Sequence, residues 1–271
     1  MKYFKILKQT FWDWWDNISY SLLTSILGSC NPFFIIILAA FRWSFSDDFT
    51  FLLQYGKEFF VVLMTSLIII PVFPTTIAAY SLQNKIIDLK LENFFVQFWR
   101  ELKKYLGRGL LFTLINGIVG FLLSYSIIFY SDFLKDWYPF NYILIGLSAL
   151  FIFLILLSQF IMLPLVVKDD YPVLEYYVIS FYMTLKNGLL LLALFLFQSI
   201  MVFIFFIPVI VPFLTIIPIV VYFGFVSTFH IWAFKYIDGE VDVSVPLRKR
   251  KIREIFSPFA GIRKNRKKDN K

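Results

Sequence analysis

Apolar residues recur along this chain in long blocks, broken by short segments that are charged or carry proline. Six blocks are long enough to cross a hydrocarbon core, which takes about 20 helical residues. They run Ile18–Phe41, Phe59–Tyr80, Leu110–Ser131, Ile143–Val167, Gly188–Ile207 and Phe213–Lys235. Charged segments separate the first four. Only Pro208-Val209-Ile210-Val211-Pro212 divides the last two, which together run 48 residues. That is too long for one span, so two spans are expected, with a re-entrant hairpin as the alternative. The pattern predicts an all-α, polytopic helical membrane bundle of about six transmembrane helices over residues 1–236. A basic tail follows over 237–271, expected to be solvated and disordered.

Three further segments read as helices that do not span. In Asp88–Leu106 the apolar positions Leu91, Phe94, Phe95, Phe98, Leu102 and Leu106 fall on one stripe at helical spacing. Glu92, Asn93, Gln97, Arg100 and Lys104 fall opposite. This suits an amphipathic helix in the membrane interface or packed under the bundle. Phe4, Leu7, Phe11, Trp14, Trp15 and Ile18 form a similar stripe at the N-terminus. Pro172–Lys186 is the third, with Glu175, Ser180 and Thr184 as its polar marks. The three share a local pattern: Phe11-Trp12, Phe98-Trp99 and Phe181-Tyr182 recur at offsets of 87 and 83 residues. Each precedes a span, so one reading is a threefold parallel internal repeat of interfacial helix plus transmembrane hairpin. The other is that aromatic residues gather at membrane interfaces in any case.

Composition removes the soluble classes. Hydrophobic residues are 59% of the 271, aromatic residues 21% and charged residues 16%; a soluble domain carries about 25% charge and has too few interior positions to hide this much apolar surface. The net charge of +8 is uneven: residues 248–271 hold eleven of the 26 Lys and Arg. Arg248, Lys249, Arg250, Lys251, Arg253, Arg263, Lys264, Arg266, Lys267 and Lys268 are the candidate contacts to anionic lipid, which draws such clusters to the cytoplasmic face. Nucleic acid is the competing partner, without a groove-reading motif to support it. Lys and Arg favour cytoplasmic loops. Six spans with both termini in the cytoplasm place 23 of these residues inside and leave Arg42, Lys57 and Lys135 outside. The N-terminal segment has no short apolar core with a small-residue cleavage site, so its first apolar run is expected to stay as an anchor.

Candidate chemistry is sparse. No Asp, Glu, Lys or Arg stands near the centre of a span, which counts against a proton-coupled carrier. Asp169-Asp170 reads as a solvated helix end. The single Cys30 and the single His230 cannot form a metal site between them, so no metal, cofactor or catalytic residue is expected and the chain is read as a non-enzyme. His230 reads as an interhelical hydrogen-bonding residue. Asn31, Thr75, Thr76, Asn116, Gln159 and Gln198 stand inside spans, and Cys30-Asn31-Pro32, Pro71 and Pro74 break the first two. Proline frees backbone carbonyls that neighbours or a wet cavity must satisfy. Those six residues are therefore either a central polar pocket or helix-packing groups.

The first half of the chain carries Asp16-Asn17, Asn31-Pro32, Pro74-Thr75-Thr76-Ile77-Ala78-Ala79-Tyr80 and then Phe94–Arg108 with Phe94 and Phe98 spaced by four. It resembles the YesL-like family of bacterial inner-membrane proteins, whose Pro-x-Thr-x-Ala-x-Tyr pattern is approached by Pro74, Thr76, Ala78 and Tyr80. The resemblance spans about residues 10–235 and is specific around 71–108; the basic tail departs from it. It implies a bacterial cytoplasmic membrane and association with carbohydrate uptake of the binding-cassette type, and supplies no catalytic residue. The expected function is an accessory or regulatory component of a transport system, with a transporter subunit as partner. The alternatives are an autonomous carrier or channel for a neutral solute, and a membrane protein recruiting ribosomes or nucleic acid through its tail.

Overall fold

The computed structural model describes residues 2–44, 49–91, 93–134, 137–206 and 216–239. Among these residues there are ten α-helices and no strand: α1 Lys2–Asp16, α2 Ile18–Ser29, α3 Pro32–Ser44, α4 Phe49–Ile69, α5 Pro74–Ile87, α6 Phe94–Phe133, α7 Phe140–Lys168, α8 Val173–Lys186, α9 Gly188–Phe206 and α10 Ile216–Ile237. Local chemistry sets the breaks. Pro32 and Pro74 open α3 and α5, where a missing N–H costs nothing. The side chain of Asn93 caps α6 by accepting from the Val96 N–H at 3.4 Å. At the end of α5, Leu89 takes φ 62°, and the N–H groups of Leu89 and Lys90 donate back to the Ile86 and Lys85 carbonyls at 3.2 and 2.9 Å. That is a Schellman closure with leucine where glycine is usual.

The chain is an all-α helical membrane bundle. Three helices, α6, α7 and α10, are long and apolar enough to span alone; counting bent pairs as single spans brings the number to six. The first pair, α2 with α3, bends by 86° at Cys30-Asn31; the second, α4 with α5, by 41° across the 3₁₀ turn Ile70–Val72. The third joins α8 to α9 at Asn187 with a 96° bend, drawing in a segment that the sequence pattern set outside the fifth span. The connection Pro208–Pro212 and the tail from residue 240 lie outside the described residues.

Two sequence expectations change in detail. The amphipathic segment before the third span is not a separate helix: it forms the first turns of α6, whose 40 residues reach about 60 Å. Of its stripe, Phe94 and Phe98 pack with Ala78, Leu82 and Ile86 of α5 and against Tyr20 and Leu23 of α2, whereas Phe95 and Leu106 are exposed. Gln97, expected on the polar side, is buried. In α1 the stripe divides between two faces, with Leu7 and Trp14 turned toward the bundle. Phe11, Trp12 and Trp15 are exposed while Ile6 and Thr10 are buried, and Trp14 meets Phe225 of α10 edge-on at 5.8 Å. In the repeated aromatic pairs the second ring is exposed each time, at Trp12, Trp99 and Tyr182, but the first is not equivalent: Phe11 and Phe181 are exposed and Phe98 is buried. The three units differ in geometry, since α8 and α9 meet at 96° and α6 runs on without a break.

Small and polar residues mark the faces where helices touch. Ser21, Thr24, Ser25, Gly28 and Ser29 of α2 are buried against α10. The Gly224 N–H donates to Ser25 Oγ at 2.6 Å, and Ser29 Oγ donates to the Ile219 carbonyl at 2.9 Å. A Cβ on Gly224 would stand 2.1 Å from the Ser21 carbonyl oxygen, so only glycine permits this approach. Gly109 of α6 lies likewise against Pro74, where a Cβ would meet the proline Cα at 2.8 Å. On the outside, Leu110, Leu114, Ile118, Phe121, Leu122 and Tyr125 form an exposed stripe along α6, a surface suited to lipid rather than water.

Candidate functional site

Asn31 sits at the 86° break and is fully buried. Its Nδ2 donates to the Ile70 carbonyl at 2.9 Å and to Thr76 Oγ1 at 3.1 Å, and its Oδ1 accepts from the Phe33 N–H at 3.0 Å. The Ile70 carbonyl needs such a donor. In a continuous helix it would accept from residue 74, and Pro74 has no N–H. One asparagine therefore pins the break of the first pair to the break of the second.

Gln159 of α7 supports the second break two residues earlier, donating through Nε2 to the Ile68 carbonyl at 2.8 Å, where α4 passes into the 3₁₀ turn and the hydrogen-bond register shortens. Asn116 of α6 donates to the Phe112 carbonyl at 2.9 Å and to Tyr177 Oη at 2.6 Å. Thr75 Oγ1 is buried without a partner. Gln198 of α9 belongs elsewhere: its Oε1 accepts from His230 Nε2 at 2.6 Å, while the Tyr80 hydroxyl donates to His230 Nδ1, also at 2.6 Å. An imidazole carrying its hydrogen on Nε2 satisfies both contacts. Gln198 also bonds Tyr222, so a polar chain Tyr80–His230–Gln198–Tyr222 ties α5, α10 and α9.

The six residues expected inside spans thus divide. Asn31 and Thr76 meet, Asn116 and Gln159 line one cavity of about 370 Å³ between α6, α7 and α8, Gln198 joins His230, and Thr75 stands apart. They do not build one central pocket. The ten tail residues from Arg248 to Lys268 lie outside the described residues.

Sequence reasoning missed the charged end of the bundle. Glu101 is 4% exposed; it accepts from Ser81 Oγ at 2.7 Å, Gln97 Nε2 at 2.9 Å and Lys85 Nζ at 2.5 Å. This part of α6 precedes the apolar span. Burial works against the Glu101 charge, but the bonds from Lys85, Ser81 and Gln97 outweigh it and hold its pKa below the ordinary carboxylate value. Its position three residues after Phe98 and one before Leu102, inside the apolar stripe, was the available signal. Nearby, Lys235 pairs with Asp88 at 2.6 Å, Arg108 with Asp170 at 2.5 Å, and Lys168 with Asp238. The Asp170 side chain is largely exposed, as expected of a solvated helix end, and the Asp169 backbone carbonyl accepts from Tyr176 Oη at 2.7 Å. Gln83 was missed as well; its Nε2 bridges Ser21 Oγ at 3.1 Å and Thr228 Oγ1 at 2.8 Å. Among the described residues no group of three or more His, Cys, Asp or Glu is placed to hold a metal ion.

Residues 53–127, from α4 through most of α6, match the model of a family described as a protein of unknown function, DUF624. The matched segment holds the second helix break, the Pro74–Tyr80 run and the Glu101 cluster. No curated protein and no solved structure matches the chain.

Proposed function

We propose that this chain is a non-enzymatic membrane protein that serves as an accessory or regulatory component of a transport system. The observation that carries this reading is how the intramembrane amides are used. Asn31 and Gln159 donate to the carbonyls of Ile70 and Ile68, freed where α4 ends in a proline-bounded turn. A translocation site would instead keep its polar groups turned toward a passing solute. These are the groups of a scaffold with fixed bends.

The resemblance to the YesL-like pattern around Pro74–Tyr80 points in the same direction, and from that resemblance comes the narrower expectation of carbohydrate uptake in a bacterial cytoplasmic membrane. The distribution of Lys and Arg supports both termini on the cytoplasmic side. There the basic tail would lie against anionic lipid.

An autonomous carrier for a neutral solute is the second reading, favoured by the one cavity that Asn116 and Gln159 share. Uptake by the purified protein alone, reconstituted in liposomes and offered a panel of labelled neutral sugars, separates the two. Background flux is expected. Saturable uptake abolished by Asn116→Leu or Gln159→Leu would replace the accessory reading with the carrier.

A further inference from the structure

Three lysines converge on a cavity at the charged end of the bundle, where α5, α7 and α10 terminate. Lys90 follows α5, Lys168 closes α7 and Lys235 stands in the last turn of α10. We infer that this cavity binds a phosphate ester, either the headgroup of an anionic phospholipid or a soluble molecule bearing the same group. The inference is independent of whether the chain serves a transporter. The cavity volume of about 340 Å³ lies within the range of small-molecule sites, about 300–1,000 Å³, and most of its accessible lining is polar. Asp88 is the single carboxylate among the described lining residues.

Charge selects the occupant. Asp88 is shared: its Oδ1 takes Lys235 at 2.6 Å, and Lys90 stands 3.7 Å from its Oδ2. Asp238, just past α10, pairs with Lys168. Three lysines thus meet two carboxylates among the described residues, which leaves one positive charge in excess. The helix ends do not absorb it. The Asn84, Lys85 and Ile86 carbonyls accept from the N–H groups of Asp88, Lys90 and Leu89, and the Phe234 and Tyr236 carbonyls from those of Asp238 and Gly239. An ammonium has three N–H donors, so Lys235 and Lys90 keep donors beyond those that Asp88 engages. A phosphate group offers several strong acceptor oxygens to take them.

The rest of the lining suits an ester rather than a bare anion. Val167, Ile231 and Phe234 form an apolar wall beside the lysines, against which a short carbon skeleton can lie, and the Asn84 side chain adds a neutral polar group at the end of α5. A metal cation would meet the excess lysines. Position supports the same class of ligand: the distribution of Lys and Arg points to the cytoplasmic side for this end, where basic pockets between spanning helices hold lipid phosphate.

The test uses the full-length protein in two arms. In nanodiscs of phosphatidylcholine doped with phosphatidylglycerol, native mass spectrometry counts the anionic lipid retained relative to the neutral one. In nanodiscs of phosphatidylcholine alone, calorimetric titration with glycerol phosphate tests the soluble form. Saturable binding is expected in at least one arm: retention with a silent titration identifies the lipid, and the reverse identifies the soluble ester. Lys168→Gln and Lys235→Gln should each weaken binding about fivefold. Asp88→Asn removes the opposing charge and should tighten it, a sign that loss of the fold cannot mimic. Lys103→Gln, on an exposed part of α6, and Lys268→Gln in the tail report diffuse attraction to a basic protein and should change little. No saturable binding in either arm would overturn the site. So would weakening by Asp88→Asn, or effects of Lys168→Gln and Lys235→Gln no larger than those of the two controls.

Discussion

Replacing Asn31 by leucine should cost this bundle far more than the same change at Asn116, although both are buried amides inside spans. The Asn31→Leu change removes three hydrogen bonds, and one of them serves the Ile70 carbonyl, whose regular α-helical donor is missing because Pro74 has no N–H. An unsatisfied buried carbonyl costs about 1–3 kcal/mol. At Asn116 the Phe112 carbonyl lies four residues back and already receives the helix's own N–H. The net loss there is the bond to Tyr177, and interhelical bonds of this kind average about 0.6 kcal/mol in membranes. Both variants receive the same side chain, so the transfer terms cancel to first order. The expected costs are about 2 kcal/mol and about 0.6 kcal/mol, a roughly tenfold difference in the unfolding equilibrium constant. Reversible unfolding in lipid bicelles, with an aromatic fluorescence readout, resolves that gap. A cost at Asn31 equal to or below that at Asn116 would refute the assignment of Asn31 as the donor that holds the two breaks together.

Three further outcomes follow from the same geometry. Tyr80→Phe and His230→Phe each strand a buried partner, so a double-mutant cycle on bicelle unfolding should give a coupling of about 1 kcal/mol; additive losses would mean that the 2.6 Å contact contributes nothing. Gly224→Ala should destabilise by about 3 kcal/mol because the new Cβ overlaps the Ser21 carbonyl, while Gly146→Ala, with open space around it, should be neutral or up to about 1 kcal/mol stabilising. Thermal unfolding of the two variants side by side checks both. The lowered Glu101 pKa means that its contribution is present above the ordinary carboxylate pKa of about 4.3 and is lost as pH falls through the lower folded value. Unfolding free energy measured from neutral pH downward should therefore fall more steeply in the parent than in Glu101→Gln, and parallel acid limbs would contradict the cluster.

The helix breaks were legible because proline and its neighbours dictate them locally: Asn31-Pro32 and Pro71 with Pro74 read as bends from the chain alone. What the bends are fastened to was not legible, since Gln159 reaches a carbonyl 91 residues away and nothing in local sequence records that pairing. Which face each amphipathic helix buries was not legible either. In water an apolar stripe marks the buried side, but lipid accepts apolar residues as readily as the protein interior does. Phe11 and Trp15 therefore face outward from α1 while Thr10 is buried. In α8 the same inversion buries Ser180 and Thr184 and exposes Leu174 and Leu185. Glu101 escaped notice because a charge within a stripe is usually a solvated exception; Ser81 and Lys85, one helix away, make it an interior residue.

Affinity purification from the membranes of its native host in mild detergent, with quantitative mass spectrometry of what remains bound, tests whether this chain works as part of a transport complex. A transporter subunit at near-equal stoichiometry is expected, retained through size exclusion and lost when the outward aromatic residues Trp12 and Trp99 are replaced by alanine. Recovery of the chain alone as a single well-defined species would contradict it.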